Sequence, residues 1–189
     1  MYLGLTGYRL RAADCLYAGI GDVYISSENI EAIIDALANT PPDRGVISAV
    51  LGEFSGNPGP NKLAEHQAAI NRCFSATSVE AIFARLAAEG SVWGNETAEI
   101  LKSKSPTSLK VSFRQLRAGQ ALTRFEEAMT MEYRIADRCF RGNDLFEGIR
   151  AVVIDKDGAP NWQPADLAGV SENDVDDYFA PAAGEPDFG

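Results

Sequence analysis

Helix start and stop signals recur along almost the whole of this sequence, and strand patterns do not alternate with them over any length. A doubly wound sheet is therefore not encoded, and the reading is a mainly α chain with at most one or two short strands. Leu10, Ala13, Leu16 and Tyr17 recur at helical spacing before Gly19, where a helix would stop. Asp22-Val-Tyr-Ile25 is β-branched and brief, a short strand. Ser27 caps a helix to about Leu37, and Pro41-Pro42-Asp43 starts another with Val46, Ile47, Val50 and Leu51 on one face. Ser55–Asn61 is a loop. Further helices are predicted over Lys62–Phe74, Ser78–Glu89 (ended by Gly90) and Asn95–Ser103. Ser105-Pro106 joins an N-cap to proline at the first helical position and opens a helix closed by Gly119. The longest helix runs from Thr123 or Arg124 to Phe140, with Gly142 expected as a left-handed cap. Asp144 reads as an N-cap with an acid three residues on, so β-branched Ile149–Ile154 is assigned to helix. A final short helix covers Glu172–Phe179.

Cysteine and histidine counts remove several chemistries. Cys15, Cys73 and Cys139 are odd in number and far apart, which supports neither a disulfide framework nor a thiolate zinc site. They fall among apolar neighbours and are expected in the core. The simplest setting is a reducing cytoplasm or, in a eukaryote, an organelle matrix. His66 is the single histidine, so no site needing two imidazoles is available, and a structural or surface role is expected for it. No metal site is predicted. No apolar run approaches the roughly 18 residues of a membrane span, and Met1-Tyr-Leu-Gly4 shows no signal-peptide pattern. A net charge of −10 argues against nucleic acid and anionic membrane surfaces as partners.

The charges are unevenly spread. Lys102, Lys104, Lys110, Arg114, Arg117 and Arg124 lie in a stretch from Ile100 to Phe125 that carries no acid, whereas Lys156 is the sole base from Asp155 to Gly189 among nine acids. Lys110, Arg114 and Arg117 fall at i, i+4 and i+7 and share a helix face. Two readings of this stripe stay open. It is a candidate to hold the phosphates of a nucleotide-like ligand, or it is a wet face or docking surface for the acidic tail. Glu132 lies on the apolar stripe of its helix, with Phe125, Ala128, Met129, Ile135 and Cys139. It is either a carboxylate of raised pKa usable in acid–base chemistry or half of a structural pair with Arg150 or Arg138. From the residues alone, no catalytic set emerges.

Five stretches carry a family resemblance: Tyr2-Leu-Gly-Leu-Thr-Gly7 with Arg9-Leu10 and Ala18-Gly-Ile20; Ile70-Asn-Arg-Cys-Phe-Ser75; Ser105-Pro-Thr-Ser-Leu-Lys110; Thr130-Met-Glu-Tyr-Arg134; and Arg141-Gly-Asn-Asp-Leu-Phe-Glu-Gly-Ile-Arg-Ala151, running into Ile154-Asp-Lys156, Pro160 and Trp162. In order and spacing they resemble the C-terminal half of the 3-hydroxyisobutyryl-CoA hydrolases, a branch of the crotonase (enoyl-CoA hydratase/isomerase) superfamily. Asp144, Glu147, Gly148 and Ala151 fit the wider crotonase pattern, and Pro164-Ala-Asp-Leu167 with the third and fourth stretches points to the hydrolase branch.

The resemblance implies the helical C-terminal portion of a crotonase spiral β/α fold. It divides the chain into 1–27 (end of the core, a helix plus a short strand), 28–104 (a helical middle) and 105–189 (a helical segment over the acyl-CoA site). It implies acyl-CoA thioester hydrolysis in valine catabolism, with acyl-CoA as substrate and no cofactor. The spiral core, oxyanion hole and catalytic carboxylates of the family lie upstream of the Leu-Thr-Gly motif. No catalytic residue is therefore assigned here, and the chain alone is expected to be inactive. Helices built to cover a core would expose apolar faces and favour homo-oligomers or other association through them. Residues after the Glu-Gly-x-x-Ala motif approach the CoA nucleotide in crotonases, but Val152 stands where many have Phe and the lysine is displaced to Lys156. Lys156 is a candidate CoA-phosphate residue through this resemblance, and Lys110, Arg114 and Arg117 are candidates separately, through their charge spacing. Two alternatives stay open: an enoyl-CoA hydratase or isomerase, and a non-catalytic helical interaction module.

Overall fold

The computed structural model describes residues 1–188; Gly189, the last residue of the third expected segment, lies outside them. Twelve α-helices are found among the described residues: α1 (Tyr2–Thr6), α2 (Ala12–Tyr17), α3 (Ile30–Ala38), α4 (Arg44–Glu53), α5 (Lys62–Glu65), α6 (Gln67–Phe74), α7 (Val79–Glu89), α8 (Val92–Lys102), α9 (Pro106–Gly119), α10 (Phe125–Arg141), α11 (Asp144–Ile149) and α12 (Glu172–Asp177). Six of the twelve starts carry a side-chain cap that accepts from a first-turn N–H. The hydroxyls of Ser78, Ser91 and Ser105 accept from the N–H groups of Ala81, Gly94 and Ser108, each at 3.1 Å. Asp43 and Asn61 do the same for Val46 and Ala64 at 3.0 Å. Ser171 and Asp174 form a reciprocal capping box at α12.

The chain divides into two compact units, one of Met1–Tyr8 with Ala69–Gly189 and one of Arg9–Ala68. Within the larger unit α1 packs on α8 and α9. In the smaller unit α2 packs on α5 and α3 on α4. Its polar hinge is Asp14, which is buried and accepts from Leu63 N–H at 2.8 Å and Arg11 N–H at 3.1 Å. Burial pushes the Asp14 carboxyl up, but these backbone donors outweigh it and hold the group below its ordinary value. The expected strand at Asp22–Ile25 does not form; Ile25 makes one isolated antiparallel bridge to Ser55.

In the larger unit Val79, Ile82 and Leu86 of α7 and Leu101 of α8 are fully buried beside Cys73, Phe74 and Ala76. The Tyr2 ring meets Phe74 edge-on at 5.1 Å and Trp93 at 5.9 Å. Gly4 lets α1 approach α9 this closely, since a Cβ there would stand 2.8 Å from Leu116 Cδ1. A second cluster gathers Val111 of α9, Ile135 of α10, and Val170 and Val175 near the C-terminus.

Four further expectations are corrected. The helix over Lys62–Phe74 breaks at His66, which ends α5. The helix predicted at Asn95 begins three residues earlier because Ser91 caps it. Gly142 is extended (φ −89°, ψ 169°) instead of left-handed, because α11 begins at once and a reversal would carry the chain away from it. Ile149–Ile154 is helical as assigned, but from Arg150 it widens into a π-turn in which Asp155 N–H donates to Arg150 O at 2.8 Å.

Candidate functional site

A cavity of about 500 Å³ opens between the start of α9, the middle of α10, and α11 with its π-turn. Val111, Ile135, Ile149, Val152 and Val153 give it apolar walls, and Ser108, Ser112 and Tyr178 place hydroxyls at its edge. Cys139 also lines it, and burial pushes its thiol up, so the thiol stays protonated near neutral pH.

One carboxylate organises the mouth. Asp144 Oδ2 accepts from the buried Ser105 hydroxyl at 2.5 Å, and Oδ1 accepts from Gln163 N–H at 2.9 Å and Asn143 Nδ2 at 3.2 Å. Asp144 therefore ties the cap of α9 to the start of α11 and to the loop beyond it. It is not the N-cap expected of it: Asn143 holds that position and makes no side-chain cap bond. Glu147, one turn on, accepts from Asn161 N–H at 2.6 Å and from Arg150 at 2.8 and 2.9 Å. Arg150 also bonds Asp155 and Asp157 at 2.7 Å each. The Arg150 guanidinium, then the Asn161 N–H, bring Glu147 down to about 2, and Arg150 is raised in return. Trp162 donates from Nε1 to Ser103 O at 3.2 Å and lies flush against Gly148, where a Cβ would meet its ring at 3.2 Å. Ala151 is wholly buried. The Asp-x-x-Glu-Gly-x-x-Ala run thus fixes loop 155–164 on α11 and α9 through hydrogen bonds, charge and close packing.

What this scaffold presents outward is apolar. Val152, Val153 and Ile154 are 68%, 62% and 69% exposed, with Phe146 and Ile149 exposed beside them. Such a ridge needs a reason, because lone exposed apolar residues are ordinary but contiguous ones are not.

The candidate phosphate residues are placed as follows. Lys110 Nζ donates to Val170 O at 2.8 Å and pairs with Glu80 at 2.8 Å. Arg114 pairs with Glu172 and Asp176 and lies over the Phe179 ring. Arg117 donates to Ala76 O at 2.8 Å and stacks on Phe113. These three share α9, as their spacing requires, and each is engaged inside the chain, Arg114 by acids of the C-terminal segment and Lys110 by Glu80 of α7 and the Val170 carbonyl. Lys156 is apart from them, exposed in the turn after the ridge at φ 56° and without an ion pair among the described residues. Glu132 faces neither the core nor Arg150 or Arg138. It is exposed and accepts from Gln115 Nε2 of α9 at 2.6 Å, while Ile135, on the same helix, is the residue buried with Val111, Val170 and Val175. Of the three cysteines only Cys73 is fully buried. The Ser105–Asp144–Gln163 junction was not foreseen. Its parts are visible as Ser-Pro and Asn-Asp motifs, but nothing in the sequence says that residues 39 apart meet.

The model of the enoyl-CoA hydratase/isomerase family matches residues 1–179. The chain belongs to that family. Among relatives of this enoyl-CoA hydratase/isomerase member, the mitochondrial 3-hydroxyisobutyryl-CoA hydrolase of Homo sapiens is 41% identical over 184 residues, covering 94% of this chain and 47% of the relative. That of Rattus norvegicus is 40% identical over 184 residues, with 94% and 48% covered. The chain thus spans about half the length of the curated relatives it matches. Two solved structures share its fold. A carnitinyl-CoA dehydratase from Mycobacterium thermoresistibile gives a TM-score of 0.85 at 31% identity, and an enoyl-CoA hydratase from Rhodobacter sphaeroides 2.4.1 gives 0.81 at 29%. Each alignment covers 97% of this chain and 52% of the other. The mainly helical chain is accordingly part of a crotonase-type fold, as the sequence motifs implied.

Proposed function

We propose that this chain serves as the helical portion of a 3-hydroxyisobutyryl-CoA hydrolase, an enzyme that cleaves an acyl-CoA thioester with water. The observation that carries the reading is the 41% identity to the human enzyme across 94% of the chain. The structure supports a supporting role over a chemical one. Asp144, the carboxylate lining the cavity, has both oxygens committed to Ser105, Asn143 and Gln163. The exposed ridge 152–154 gives the unit an apolar surface with which to cover the thioester-binding part of such an enzyme. Lys156, exposed and in no ion pair among the described residues, is the cation we assign to CoA phosphate; Lys110, Arg114 and Arg117 act first as internal ties.

The test is complementation. The chain is co-expressed with the part of the human hydrolase that it does not match, and release of free CoA from 3-hydroxyisobutyryl-CoA is followed. The reading expects thioester cleavage by the pair, no turnover by this chain alone, and no hydration of crotonyl-CoA. A stable pair that hydrates crotonyl-CoA and releases no CoA would replace the hydrolase with a hydratase. In the same assay Lys156→Glu should raise the KM for acyl-CoA and leave kcat unchanged.

A further inference from the structure

The acid-rich segment 170–185 lies across α9 and α10, and among the described residues the hydrogen bonds that join it to those helices come from helix side chains. Lys110 Nζ donates to Val170 O at 2.8 Å. Arg114 pairs with Glu172 and Asp176. Arg138 donates to Asp177 O at 3.0 Å. Arg134 donates to Phe179 O at 3.3 Å and to the two Glu185 oxygens at 2.7 and 2.9 Å. The Tyr133 hydroxyl donates to Ala183 O at 3.0 Å. The segment's own backbone bonds stay local, as from Val175 to Ser171 and from Phe179 to Asp176.

Four of these five helix side chains are cations, and the pairs they make are partly open to water: the Arg114 and Arg134 side chains are 30% and 28% exposed. Attraction of that kind is weakened by added salt. The apolar anchor of the segment is Val170 and Val175, which are buried, with Tyr178 and Phe179 packed against the same cluster but only partly buried. The α7–α8 pair has the opposite character, with Val79, Ile82, Leu86 and Leu101 sealed from solvent. Elements with few buried apolar groups and many exposed polar ties open locally before the whole chain unfolds. Tyr178, carried by this segment, forms one wall of the cavity.

We propose that residues 170–185 are a charge-latched strap that opens as a unit while α9 and α10 stay folded, and that its opening uncovers the Tyr178 side of the cavity. Amide hydrogen exchange of the full chain, read by mass spectrometry and normalised to α7 and α8, tests this between about 0.05 M and about 0.5 M sodium chloride. Strap amides should exchange at least about tenfold faster at the high salt while α9 and α10 keep their protection. The double variant Arg114→Gln/Arg134→Gln should exchange at the fast rate already at low salt and respond no further. If that variant does not fold, Glu185→Gln, which leaves the helices untouched, should shift the strap part of the way. Strap protection that is indifferent to salt, or that is lost only together with α7 and α8, overturns the proposal.

Discussion

Glu147 shows how one residue couples charge to shape. Its carboxylate is brought down to about 2 against an ordinary 4.5, while Arg150 stays charged throughout the usable pH range. A depressed carboxylate stabilises fully above its unfolded value, and the contribution is lost as pH falls through the folded one. The melting temperature of the wild-type chain should therefore exceed that of Glu147→Gln at neutral pH, and the gap should close between about pH 4.5 and about pH 2. Thermal melts of both proteins across that range check it. Ser105 is a second such residue, because one hydroxyl both caps α9 and donates to Asp144. Ser105→Ala should cost about 2 kcal/mol in denaturant unfolding, more than a simple cap, since Asp144 is left short of a partner. The sequence marked Ser105, Asp144 and Glu147 as notable through helix-cap grammar and family motif. It marked Glu132 as well, wrongly placed toward the core, because periodicity locates a stripe but not which edge of it a neighbour covers.

At the level of elements, the start signals at Ser78 and Ser105 hold, whereas Ser27 lies inside a 3-10 turn ahead of α3 and Asp144 lies one residue past its cap position. Ser78 and Ser105 cap helices where the sequence put them, and Ser78→Ala should lower stability by about 1 kcal/mol, read from the urea midpoint at unchanged slope. The misreadings have a common cause, which is that tertiary contact decides short elements. The five residues of α1 are too few to be helical by propensity; they are held because Tyr2 and Leu5 are buried and Gly4 allows the approach of Leu116. Asp22–Ile25 has strand propensity but only Ser55 to bridge to, and a single bridge is not a sheet.

For the molecule as a whole, the exposed ridge is the feature that matters most to behaviour in solution. With Val152, Val153 and Ile154 uncovered, the purified chain should bind an apolar dye and sediment as concentration-dependent oligomers. Val152→Asp/Ile154→Asp should reduce both, and a wild-type chain that sediments as a monomer without dye binding would show that the ridge is not adhesive. This surface was legible only through the family resemblance, since a run of β-branched residues after a helix cap reads equally well as buried. The junction at Asp144 has a different reach. It joins Ser105 and Gln163, 39 and 19 residues away along the chain, so its bonds close two loops and cannot form until both helices and the loop are in place. Asp144 should for that reason behave as a late-forming contact in kinetics: Asp144→Asn should speed unfolding and leave the folding limb of a stopped-flow chevron nearly where it was. That single carboxylate then bears on the lifetime of the folded chain more than on the speed at which it is reached.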